Sequence, residues 1–236
     1  MGPLVSTVVL VAVCAVIGVR LLALARRTRG LPELLIGAAF VLAGVFGIGF
    51  SLLRAILPVS DGARMELAAA SSLGMHCGVS CIAAFTWRVF RPADLGGRIA
   101  FATLAALLLA SLVRELAALE PARVAAGMSA LWSVSVCATV YLWAAFESAR
   151  YYLLLRRRVR IGIGEPFVAA QMLCWSIGSL AIALGWLRDI ALKLTGTDTG
   201  EVGSYVTTLL VALCAAAYWL AFFPPARFRR WVTAGA

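Results

Sequence analysis

The chain has 236 residues, of which 63% are hydrophobic and 14% charged, with a mean hydropathy of +0.96 and a net charge of +10. A soluble domain of this length needs far more charge on its surface, so the composition excludes one and requires a lipid surround. The basic residues are 20 arginines and the single Lys193, and their placement beside apolar segments points to membrane topology rather than nucleic-acid binding.

A hydrocarbon core about 30 Å thick takes about 20 residues of helix. Seven apolar segments reach that length, at 4–25, 32–57, 66–90, 99–119, 124–150, 166–194 and 203–223. Breakers or charges mark each gap: RRTRGLP, PVSDGAR, RPADLGGR, LEPAR, RRRVRIGIGEP and TGTDTGE. The expected fold is all-α, a polytopic membrane protein in which residues 1–236 form one seven-transmembrane-helix bundle without a separate soluble domain.

The first segment has no basic stretch before it, and Arg26, Arg27 and Arg29 follow it. It is therefore expected to remain as a helix rather than act as a cleaved signal peptide. The second holds the small pair Ala43/Gly47 and places Arg54 near its far end. The third contains SSLGMHCGVSC (71–81), with the chain's one histidine, His76, at i+4 from Ser72 and i−4 from Ser80. At about 1.5 Å per residue, His76 lies roughly 15 Å below Glu66, near the midplane. The fourth segment ends in Arg114 and Glu115. Ser129, Ser133, Cys137 and Tyr141 repeat the four-residue spacing on the fifth, which runs on through FESARYYLLLRRRVRIG without a breaker until Gly162. That extension reads as an interfacial anchor or, alternatively, as a docking surface for a cytoplasmic protein. The sixth segment offers Gln171, Trp175, Ser179, Trp186, Arg188 and Asp189, and the small pair Gly178/Ala182. The seventh offers Tyr205, Thr208, Cys214 and Tyr218.

Fifteen of the 21 basic residues and four of the 11 acidic ones fall in the first, third and fifth gaps, at the neighbouring helix ends and in the C-terminal stretch. The other side holds Arg54, Arg64, Arg114, Arg123, Arg188 and Lys193. The positive-inside rule then places the N-terminus outside and the C-terminus in the cytoplasm. The six cysteines all lie within apolar runs and read as small buried hydrophobes, not as a disulfide framework. Arginine and alanine bias and the absence of asparagine fit a bacterial inner membrane.

Ionisable groups inside spans are expensive and are candidates for function, although those near helix ends can snorkel. Together with the hydroxyl and aromatic stripes they could line a cavity open to the outside. The candidate ligand-binding residues are Arg54, His76, Arg114 and Glu115 with Trp186, Arg188 and Asp189. Set against this, serine and glycine stripes also serve close helix packing, Arg114–Glu115 and Arg188–Asp189 could be interhelical ion pairs, and His76 could be a hydrogen-bonded bundle histidine.

Several chemistries are disfavoured. One histidine with Cys77 and Cys81 makes a strained zinc site, because Cys77 projects about 100° away from His76 around the helix. CGVSC is an i, i+4 pair at membrane depth, unlike an accessible CxxC. Ser51 in GIGFS lies too near the outer end to pair with His76 as a protease dyad. No catalytic residue, metal or cofactor is expected.

The seven-helix, N-out arrangement resembles that of microbial rhodopsins and heptahelical receptors. A rhodopsin-like protein carries its retinal on a lysine of the seventh helix, and here that helix has none, Lys193 standing at the end of the sixth. The repeated Pro-Gln signature of seven-helix sugar transporters is also missing. YWLAFFPPARFRRW (218–231) resembles the exit from the last membrane helix of bacterial membrane-embedded sensory regions, which implies output through a separate cytoplasmic signalling partner. The leading expectation is a receptor-like sensor that binds a small amphipathic or anionic ligand from the outer side. The alternative is a small-solute or proton-coupled transporter or channel, and the third is an intramembrane lipid-modifying enzyme, for which a second catalytic group beside His76 is not evident. The expected partners are the bilayer, a small-molecule or lipid ligand, that signalling protein and further copies of the chain, with no nucleic acid.

Overall fold

A computed structural model describes residues 2–119, 128–196 and 200–234. Arg123, the side chain of Ser129 and most of the LEPAR and TGTDTGE gaps lie outside the described residues. The described chain is helical throughout, with no strand. The helices are α1 (Gly2–Thr28), α2 (Leu31–Ile56), α3 (Asp61–Phe90), α4 (Leu95–Ala117), α5 (Met128–Arg160), α6 (Pro166–Thr195), α7 (Gly200–Phe222) and α8 (Ala226–Ala234).

Among the described residues six helices, α1 to α4, α6 and α7 from Val202 on, are long and apolar enough to cross a membrane. The fifth predicted segment forms α5, whose 33 residues include a charged second half beyond Phe146. Boundaries follow local chemistry. Ser60 caps α3 by accepting from the Ala63 amide at 3.4 Å, and Asp94 caps α4 by accepting from the Gly96 amide at 3.1 Å. Pro166 opens α6, where a missing N–H costs nothing, and Gly196 closes it at φ +64°, a conformation that needs no Cβ.

Each long helix packs on the next, and α7 returns to α1, so the seven long helices close into a ring. Inside it α3 also touches α5. The contact of α2 with α3 is set by small residues, since a Cβ on Gly78 would fall 2.6 Å from that of Ala43. Gly44 likewise abuts Cys14 of α1, where an added Cβ would stand 2.7 Å from Sγ. The middle of α2, Phe40–Ile48, is wound as a π-helix. Ser71 of α3 donates to Gly47 O within this segment at 2.6 Å. The outward faces are apolar, with Val19, Leu109, Phe146 and Leu209 exposed where acyl chains would cover them. All six cysteines are free and none is exposed.

Candidate functional site

His76 stands at 3% exposure inside the ring and gathers three helices around it. Its Nδ1 lies 2.8 Å from the Ser72 carbonyl oxygen one turn back. A carbonyl only accepts, so Nδ1 carries the proton, and in the neutral ring Nε2 is left as an acceptor. The Ser133 hydroxyl of α5 lies 2.8 Å from Nε2 and donates to it. Ser111 of α4 donates to Ser133 Oγ at 2.9 Å and stands 3.2 Å from Nε2. Glu115, one turn beyond Ser111 on α4, brings Oε2 to 4.0 Å from Nδ1. Ser80, the third member of the α3 stripe, only bonds its own helix at His76 O.

These groups open into a polar cavity of about 550 Å³ lined by His76, Glu115, Ser133 and Cys137, with Arg54 and Lys193 toward the helix ends. Neither Arg54 nor Lys193 has an ion-pair or hydrogen-bond partner among the described residues. A second, apolar cavity of about 310 Å³ adjoins it, sharing Thr7, Ile48, Met75 and Trp186 in its walls. Its floor is aromatic: Phe40 meets Trp175 edge-on at 6.1 Å and Tyr218 at 5.1 Å between ring centres. Tyr218 shares a hydrogen bond of 3.2 Å with Ser179. Trp175 is buried, yet its Nε1 has no hydrogen-bond partner among the described residues. A buried donor left unpaired costs free energy.

Of the residues singled out from the sequence, Arg54, His76, Glu115 and Trp186 line the polar cavity, and Trp186, Arg188 and Asp189 line the apolar one. Arg114 is exposed on α4 and lines neither. Arg188 pairs with its neighbour Asp189 at 3.0 Å on the same helix and donates to Gly203 O of α7 at 3.0 Å. Tyr205, read as part of the inward stripe of the last segment, points outward and is 71% exposed. The sequence reading missed Ser111 and Phe40. Ser111 repeats no stripe on its helix, and Phe40 looks like any apolar residue, so pattern alone held no signal for either.

The polar cavity lies toward the end of the bundle that carries Thr7, Arg54 and Lys193, and the apolar one runs from Thr7 and Arg188 to Phe40, Trp175 and Tyr218. The opposite end carries an ion-pair cluster. Glu147 of α5, 3% exposed, accepts from Arg91 Nε at 2.7 Å and faces Arg150 Nη1 at 3.7 Å. Arg91 also reaches Asp94 at 2.8 Å, and that guanidinium holds the Asp94 carboxyl below its ordinary value of 3.8. No group of three or more potential metal ligands occurs among the described residues. No family model, curated protein or solved structure matches the chain. The class that fold and composition define is that of a multi-pass helical membrane protein.

Proposed function

We propose that the chain is a seven-span, N-out protein of a bacterial inner membrane that acts as a receptor-like sensor for an amphipathic ligand with an anionic head. The observation that carries this reading is the pair of adjoining cavities. One is aromatic, and the other is polar, with Arg54 lacking an acidic partner among the described residues. An apolar chain in the first and an anion at Arg54 in the second would satisfy both walls. The seventh span is α5, whose sequence 128–146 carries no charged residue. Its arginine-rich extension and α8 supply a basic face for an anionic leaflet and for a cytoplasmic signalling partner.

The test is thermal stabilisation of the purified protein by dodecyl phosphate, with dodecyl maltoside as the neutral control. A ligand at 100 times its Kd adds about 2.7 kcal/mol, a rise in Tm of about 5–10 °C for a chain of this size. Arg54→Ala should abolish the rise without lowering the unliganded Tm. Equal stabilisation by both amphiphiles, or an undiminished response of Arg54→Ala, would refute the proposal.

A further inference from the structure

Hydrogen bonds that only glue helices together need no opening beside them, yet the Ser133–His76 bond stands at the wall of a cavity of about 550 Å³. From that juxtaposition we infer that Ser133 is a nucleophile, His76 its general base, and the polar cavity an acyl-ester hydrolase site. The geometry has the parts that nucleophilic catalysis requires. Nδ1 is committed as donor to Ser72 O at 2.8 Å, which leaves the Nε2 lone pair facing the Ser133 hydroxyl at 2.8 Å. The carboxylate of Glu115, 4.0 Å from Nδ1, lies where it stabilises the imidazolium formed when Nε2 takes a proton. The Ser111 hydroxyl, 2.9 Å from Ser133 Oγ, adjoins the reacting centre as a further donor. Three helices supply these groups, and each group lies within 4.0 Å of the next.

In the first step Ser133 Oγ forms a bond to the acyl carbon of an ester while its proton passes to His76 Nε2. The tetrahedral adduct then breaks its bond to the leaving oxygen, which takes that proton and departs as an alcohol. Water attacks the acyl-serine, giving its proton to Nε2. The carboxylic acid leaves, and the proton returns to Ser133, so the sum is ester plus water to acid plus alcohol. The substrate class, an ester of an amphiphile with an anionic head, rests on the binding reading above. The nucleophile does not.

The experiment uses the full chain in lipid nanodiscs, treated with a short ethyl fluorophosphonate, which needs neither the aromatic cavity nor Arg54. Peptide mass mapping should place one phosphonyl adduct on Ser133. Ser133→Ala should lose it, and Ser111 remains in that variant to bond Nε2 and hold the fold. His76→Gln should slow labelling by about 10²–10⁴-fold, while Arg64→Ala, exposed and outside both cavities, should label as fast as the parent. With p-nitrophenyl butyrate as substrate, Glu115→Gln should lower kcat at unchanged KM, the mark of a positioning residue. A folded parent protein that takes no adduct on Ser133 overturns the inference, as does an adduct on Ser111 instead. So does a His76→Gln variant labelled at the parental rate. Labelling that persists while dodecyl phosphate gives no stabilisation would sink the binding reading alone.

Discussion

Substituting Gly78 tests whether the α2–α3 seam that shapes both cavities is as tight as its geometry implies. A Cβ at this position would lie 2.6 Å from the Ala43 Cβ and 2.9 Å from its Cα. Carbon atoms rest at about 3.5–4.0 Å, so the two helices must part by roughly 1 Å. Because the Ala43 Cα belongs to the backbone of the π-wound segment, no side-chain rotation relieves the contact. Overpacking of this kind costs about 1–3 kcal/mol. Alanine also gains about 1 kcal/mol over glycine in a helix interior, which would mask part of the loss. Gly185→Ala on α6 removes that ambiguity, because a Cβ there meets nothing within 4 Å and the propensity gain is the same. The two variants should therefore differ by about 1–3 kcal/mol, which is a Tm about 2–12 °C lower for Gly78→Ala. Tryptophan fluorescence melts of both proteins in nanodiscs read this directly. Coincident melting curves would show that the seam has slack and that the π-wound segment does not set the cavity walls.

Arg91→Ala should cost about 3–5 kcal/mol in chemical unfolding, since it leaves the buried Glu147 carboxylate with only Arg150 at 3.7 Å. Adding Glu147→Gln should recover part of that loss, and a double variant no more stable than Arg91→Ala would refute the assignment. The pH response follows from Asp94, whose carboxyl is held below 3.8 by Arg91. A folded pKa below the unfolded one gives stability that is present above the unfolded value and lost as pH falls through the folded one. Acid melts of the parent protein should thus fall more steeply below about pH 4 than those of Asp94→Asn, and parallel acid limbs would count against the ion pair.

Much of the architecture was legible because lipid imposes one strong rule, that the spanning backbone must satisfy its own hydrogen bonds. Apolar runs of about 20 residues separated by Pro, Gly and Arg therefore marked the helices, and among the described residues each predicted segment falls on a helix of the structure to within a residue or two at its ends. The ends shifted where polar residues extend a helix beyond the apolar run. Asp61 and Leu95 begin α3 and α4 ahead of the expected 66 and 99, under Ser60 and Asp94 caps.

The site was legible only in part. The four-residue spacing of Ser72, His76 and Ser80 placed them on one helix face, and the sequence by itself put the chain's one imidazole within a long apolar helix. Which groups meet that ring depends on how the helices rotate and how far apart they stand, and small residues such as Gly44 and Gly78 decide that through contacts with other helices. Ser80 turned to its own backbone, Ser133 and Ser111 reached Nε2, Arg114 turned outward, and Phe40 closed the aromatic floor. Periodicity assigns a residue to a face of one helix. Only tertiary packing selects the partner across the gap, because that choice rests on interhelical distances that no single segment encodes.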